Sequence, residues 1–251
     1  MIFNFIKIEI DRRIAIVRIE REQARNALNV DLIGELHEAA RTLHTAPNVD
    51  AIVLTGTPKC FSAGADRKDE RIFRSESHAL DHWHLVEGGT EAARAWEELR
   101  QPTFAAIEGF AVGGGFTFAM ACDFRVMGRG AFIQIPEVPL GFNYGWNSIP
   151  RLVSLIGPSR TKEAVIFGDR IEAAQALSWG MADRVVDDGH ALDAAVKWAT
   201  RALGLPQLPV QFTKRAVNAV SNSQRDVGSH ADMAQILLCL RSADENRPRA
   251  G

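Results

Sequence analysis

Cysteine is scarce in this chain. Three thiols, Cys60, Cys122 and Cys239, are scattered over 251 residues. They are too few for a disulfide framework and fit buried thiols in a reducing cytoplasm. No run approaches the ~18 consecutive apolar residues of a membrane span, so no membrane is expected as a partner. Met1 to Ile10 alternates and carries charges at Lys7 and Glu9, which is not an export signal, and a cytoplasmic location is expected. Neither sign of charge dominates: 29 Lys and Arg stand against 31 Asp and Glu, for a net charge of −2. No global field draws nucleic acid, and a polyanionic ligand would need locally placed cations. Tyrosine occurs once, at Tyr144.

What is present is an ordinary globular composition, 46% apolar and 24% charged, in a chain long enough for one or two domains. Phe3 to Ile10 alternates, Asp11-Arg12-Arg13 interrupts, and Ile14 to Ile19 resumes, which reads as a hairpin. Asn29 can cap a helix with Leu32, Ile33, Leu36, Ala40 and Leu43 on one face. Ala51-Ile52-Val53-Leu54 and Phe104-Ala105-Ala106-Ile107 are continuously apolar, the type of strand buried on both sides. A helix is expected over Glu91–Leu99, a short one over Phe116–Ala121, and a strand at Phe124 to Met127. This rhythm argues for an α/β layer with crossover connections. Beyond it, helices are expected over Trp146–Leu155, Ser159–Phe167, Ile171–Trp179, Ala191–Leu203, Val210–Val220 and Val227–Arg241, with one strand at Arg184 to Val186. A break near residue 190 divides an α/β core carrying the site (1–190) from a helical part (191–251), frayed after Asn246.

Three segments carry chemistry. Phe61-Ser62-Ala63-Gly64-Ala65-Asp66 follows a buried strand, and its small residues let a ligand approach backbone N–H groups. The alternative is a plain strand-to-helix loop. Gly113-Gly114-Gly115 precedes an apolar helix, whose free N–H groups can hold developing negative charge. The triplet lacks dinucleotide spacing, and its bland reading is a close backbone crossing. Glu137 stands among prolines and apolar residues, where desolvation raises a carboxyl pKa toward values useful in proton transfer. A solvated turn residue is the alternative.

These segments, in this order, resemble the crotonase (enoyl-CoA hydratase/isomerase) superfamily. The resemblance also takes in Arg25-Asn26-Ala27-Leu28-Asn29, Val53 to Gly56, Ala105 to Gly109, Ala121-Cys122-Asp123, Arg151-Leu152, Lys162-Glu163-Ala164, Ala173 to Gly180 and Lys214. It implies an α/β spiral of β-β-α turns with a C-terminal helical trimerisation region, assembled as a homotrimer or a dimer of trimers. It implies that the N–H groups of Ala65 and Gly114 bind a thioester oxygen and that Glu137 is an acid–base residue. Arg25, Ala27, Ala63 and Asp66 would lie along the path of coenzyme A, which enters only as part of the acyl-CoA substrate; no other cofactor is implied. Gly113, Thr117, Tyr144 and Trp146 would line the substrate site, and Lys59 or Lys68 would meet phosphates.

Four departures from the family pattern stand out. Two-base hydratases carry a second glutamate where this chain has Thr117, and threonine cannot supply a proton near neutral pH. One carboxyl with an oxyanion hole suffices for allylic isomerisation, so isomerase chemistry is expected ahead of two-base hydration. Decarboxylation, thioester hydrolysis, retro-aldol cleavage, or CoA binding without turnover are the alternatives. Phe142 to Asn147 replaces a small glycine-rich segment, so Tyr144 is either a pocket donor or, with Trp146, a packing residue. His78, His82 and His84 lack metal-ligand spacing, so no metal is expected. Family members commonly continue with a further amphipathic helix near where this sequence stops.

Overall fold

The computed structural model describes residues 3–73, 79–223 and 231–245. Strands β1 (Ile6–Asp11) and β2 (Ile14–Ile19) pair antiparallel, with Ile6 opposite Ile19. Arg12 and Arg13 turn between them, both at positive φ, as a two-residue hairpin requires. The Asn29 side chain accepts the Leu32 N–H at 3.0 Å and starts α1 (Val30–His44), whose apolar stripe is buried as its spacing predicts.

Strands β3 (Ala51–Thr55) and β4 (Thr103–Ile107) are buried at every residue. With β6 (Phe124–Gly128) and β9 (Arg184–Val186) they complete a six-stranded sheet ordered β1-β2-β3-β4-β6-β9, parallel after the first hairpin. Side chains alternate across it. Ile52, Leu54, Ala105 and Ile107 join the main core with α1 and with Trp96 of α3 (Ala79–Glu97). Ala51, Val53, Phe104 and Ala106 meet Ala191, Ala195 and Ala199 of α7 (Ala191–Leu203), which covers the other face.

A second sheet, β5-β7-β8, is built from Phe110–Val112, Phe132–Gln134 and Ile171–Glu172. Bridges Ser62↔Ala111 and Leu28↔Ala65 extend it. Each repeat sends one strand to the large sheet, the next to the small one, and then a helix: β4, β5, α4 (Gly114–Ala121), then β6, β7, α5 (Ser148–Phe167). This is the expected β-β-α spiral. Helices α6 (Ala173–Trp179), α8 (Gln207–Ser221) and α9 (Asp232–Glu245) follow, with α2 (Glu70–Phe73) lying earlier. Among the described residues, no helix is long and apolar enough to cross a membrane.

Several boundaries differ from the sequence reading. The helix expected over Glu91–Leu99 begins at Ala79, and the two expected over Trp146–Leu155 and Ser159–Phe167 run on as α5 across a non-helical Gly157. Trp146 and Asn147 are left-handed instead of helical, because the buried Arg151 guanidinium draws in both their carbonyls at 2.8 and 3.2 Å. Ile171 and Glu172 are strand, since Ile171 pairs with Ile133 across the small sheet. Residues 227–230 of the expected last helix and the tail from Asn246 lie outside the described residues. Cys60 and Cys122 are buried free thiols, while Cys239 is half-buried.

Candidate active site

The two glycine-rich turns meet because Phe61 to Ala65 runs beside β5. The Val112 N–H donates to the Ser62 carbonyl at 2.9 Å, and Ser62 pairs with Ala111. In the parallel bridge between Leu28 and Ala65, the ladder bonds are Leu28 N–H to the Gly64 carbonyl and Asp66 N–H to the Leu28 carbonyl. The Ala65 N–H therefore points out of the ladder. A Cβ on Gly64, which sits at φ +83°, would lie 3.5 Å from the Gly114 nitrogen, so the two turns touch. Gly114 opens α4, where the first N–H groups have no intrahelical acceptor.

Each glycine of the triplet is required by a different neighbour. A side chain on Gly113 would strike the Glu137 carboxylate, one on Gly114 the Trp146 indole, and one on Gly115 the Ser62 side chain. The backbone lies as close to functional groups as glycine allows.

Glu137 follows β7 in a tight turn, its carbonyl accepting from Leu140 and Phe142 at 3.1 and 3.0 Å. The side chain is buried and its Oε2 has no hydrogen-bond partner. Burial pushes this carboxyl up to about 8, the poise of an acid–base catalyst near neutral pH.

Thr117, fully buried on α4, belongs to a cluster of hydroxyls. Its Oγ1 donates to the Tyr144 oxygen at 3.0 Å and shares a 2.7 Å hydrogen bond with Ser148. The Tyr144 hydroxyl donates to the Gly113 carbonyl at 3.2 Å, and burial raises its phenol above the ordinary value. Tyr144 both lines the pocket and commits its proton to the backbone. Nothing in the sequence marked Ser148, which reaches Thr117 only because α5 packs on α4.

Ala65, Gly114, Thr117, Glu137, Tyr144 and Trp146 surround one cavity of about 60 Å³, together with Ile72, Phe142, Asn143, Gly145 and Ile236. Ile236 comes from α9, which docks through Asp232 accepting the Asn147 N–H at 3.3 Å. The last described helix therefore already walls the pocket, a role the sequence did not reveal because a single isoleucine in an amphipathic helix carries no signal of its partner.

Ala65 also borders a second, wider cleft of about 550 Å³, lined by Arg25, Ala27, Ala63 and Asp66 with Arg21, Arg67, Lys68 and Arg71. Asp66 is paired with Arg21 at 2.7 Å, and Arg71 is held by Asp31 and Asp69. Among the described residues, the side chains of Arg25, Arg67 and Lys68 have no ion-pair partner. Lys59 is exposed, pairs with Glu22 and lies outside the cleft, whereas Lys68 lines it. Sequence reasoning missed Arg21 and Arg67, which differ in nothing local from other surface arginines. His84 is exposed beside Glu87, while His78 and the side chain of His82 lie outside the described residues.

The sequence profile described as Enoyl-CoA hydratase/isomerase matches residues 9–245. The chain is 32% identical over 246 residues to the crotonyl-CoA hydratase of Syntrophomonas wolfei, covering 98% of this chain and 93% of that one. Among solved structures, a putative enoyl-CoA hydratase/isomerase family protein from Hyphomonas neptunium superposes with TM-score 0.82 at 33% identity, covering 86% of this chain and 82% of that one. An enoyl-CoA hydratase/isomerase from Mycobacterium paratuberculosis superposes with TM-score 0.87 at 26% identity, covering 94% and 93%.

Proposed function

Since the chain belongs to the enoyl-CoA hydratase/isomerase family, we propose that it processes an enoyl thioester of coenzyme A through an enolate, with Glu137 moving the proton at the α-carbon. The observation that carries this reading is the buried Glu137 carboxyl, its Oε2 without a hydrogen-bond partner, in one small cavity with Ala65 and Gly114. The N–H groups of those two residues take the thioester oxygen as charge develops on it, which is the largest requirement for proton transfer beside a carbonyl. The cleft beyond Ala65 receives coenzyme A, with Arg25, Arg67 and Lys68 facing its phosphates.

Allylic isomerisation is our first reading, and in its support Glu137 is the one carboxyl among the described residues around the cavity. Glu137 takes the α-proton of a 3-enoyl thioester and returns it to the γ-carbon of the dienolate. One carboxyl suffices, and Thr117 adds no second one. Hydration is the second reading, favoured by the name of the Syntrophomonas relative. In that reaction protonated Glu137 gives its proton to the α-carbon while water adds to the β-carbon, and the carboxylate takes a proton from that water. Incubation with 3-hexenoyl-CoA and with crotonyl-CoA, followed by absorbance and product mass, separates the two. No turnover of either, with Glu137→Gln unaltered on any active thioester, would sink the proposed role.

The assembly we propose is a homotrimer, alone or paired into a hexamer. In support, α8 buries no residue within one chain and leaves Leu208, Phe212, Val217 and Val220 exposed. A subunit packed against this helix would bury those side chains.

A further inference from the structure

Ser62 stands between the two turns that carry the Ala65 and Gly114 N–H groups, and it touches both. It is fully buried and pairs with Ala111, and its carbonyl accepts the Val112 N–H at 2.9 Å. Toward the first turn, its hydroxyl donates to the Asn26 carbonyl at 2.7 Å and accepts the Gly64 N–H at 3.2 Å. Toward the second, its Cβ and Oγ lie 2.7 and 2.9 Å from where a Cβ on Gly115 would fall. The Ser62 side chain thus packs directly on the α4 backbone, one residue past Gly114.

The residue behind the hydroxyl is fixed in turn. Asn26 is fully buried and left-handed at φ 54°. Its side-chain nitrogen donates to the Cys60 and Phe61 carbonyls at 3.1 and 3.2 Å, and its Oδ1 accepts the Arg21 N–H at 2.9 Å. Through Ser62, the Gly64-Ala65 segment is tied to this frame on one side and braced against α4 on the other. Two N–H groups serve one oxygen only when each nitrogen comes within about 2.7–3.1 Å of it. A misplacement of about 1 Å costs on the order of 10²-fold in rate.

We infer that Ser62 is a positioning residue that sets the gap between the Ala65 and Gly114 N–H groups. Its hydroxyl proton is committed to Asn26, and Ser62 is not among the residues around the cavity. It acts on the thioester only through the two turns. This rests on the thioester reading above and adds the residue that spaces the oxyanion donors.

The test uses the full chain and dimethylaminocinnamoyl-CoA, whose absorbance moves to the red as its carbonyl oxygen is polarised. Turnover of crotonyl-CoA and 3-hexenoyl-CoA is followed alongside. Ser62→Ala keeps the Cβ and removes the hydroxyl that holds Gly64. Gly115→Ala keeps the Ser62 hydroxyl and forces α4 away from it. Each variant is expected to shrink the red shift of the bound probe and to lower kcat about tenfold with KM within about twofold. That is less than the roughly 10²–10³ of a deleted oxyanion donor. Gly115→Ala carries the test alone if Ser62→Ala does not fold.

A native red shift with native kcat in both variants overturns the inference, whatever happens to the melting temperature. Failure of both variants to fold assigns Ser62 to folding alone and overturns it too. The thioester reading fails separately, in the native protein: no binding of the probe, or binding without a red shift, removes that reading and the inference with it. A native red shift without turnover of either substrate keeps the oxyanion donors and their spacing and removes the proposed reaction.

Discussion

The Tyr144 hydroxyl donates to the carbonyl of Gly113, 3.2 Å away, and that carbonyl belongs to the peptide whose N–H is that of Gly114. Ser148, Thr117 and Tyr144 form a chain of hydroxyls ending on this oxygen, which also accepts the Thr117 N–H at 3.1 Å. Chains of hydrogen bonds polarise one another, and drawing electron density onto the oxygen makes the N–H of the same peptide a better donor. Thr117 thus stands in a line of hydroxyls that ends on the backbone of the glycine triplet.

Tyr144→Phe keeps the ring and removes the last link. A hydrogen bond of about 1 kcal/mol net, lost from the transition state, lowers kcat roughly threefold to tenfold with KM little changed. The absorbance of a bound thioester whose carbonyl is conjugated to a dye should shift less to the red than with the native protein. A drop in melting temperature with kcat and the spectrum intact would assign Tyr144 to packing alone.

Glu137→Gln should lower kcat by about 10²-fold or more, the usual contribution of a positioned acid–base group. Its effect on stability has a defined sign. The folded carboxyl titrates near 8 against an ordinary value of 4.5. Between those limits the folded chain binds more protons than the unfolded one, so this group makes stability fall as pH rises, until the effect levels above pH 8. The glutamine variant should therefore match the native protein near pH 4.5 and melt progressively higher than it toward pH 8. Melting curves across that range check this.

The pH profile of kcat/KM separates the two reactions. Isomerisation needs Glu137 ionised as the base, so the rate should rise toward a plateau above pH 8. Hydration with Glu137 as the acid should fall through the same region. A profile flat from pH 6 to 9 contradicts both assignments.

Glu97→Ala leaves the buried Arg151 guanidinium without its carboxylate. Removing one partner of a buried pair costs about 3–5 kcal/mol. Melting temperature should fall sharply, and turnover should fall with it, because Arg151 holds the Trp146 carbonyl beside the cavity.

Leu208→Asp with Phe212→Asp on α8 should convert an oligomer to monomers, since both side chains are exposed within one chain. Light scattering after gel filtration reads the change directly.

Local pattern made much of this fold legible. The Asn29 cap, the arginine turn of the first hairpin and the two wholly apolar strands each depend on residues a few positions apart. The first two residues of the helices expected at Trp146 and Ile171 are not helical because their conformation is decided elsewhere: Arg151 captures the Trp146 and Asn147 carbonyls, and Ile171 pairs with Ile133. Hydrophobic periodicity reports which face is buried, not which distant group claims a backbone carbonyl.

For the site, the sequence alone determined what the backbone can do. Glycines at 64 and 113 to 115, placed after strands, leave N–H groups free and space for close approach whatever surrounds them. The tertiary structure decided everything that depends on partners far along the chain. Thr117 meets Tyr144 and Ser148 across 27 and 31 positions, and Trp146 settles between two helices. Glu137 loses its water only when the cavity closes around it. Desolvation and hydrogen-bond donation are properties of assembled surroundings, and no single segment contains them.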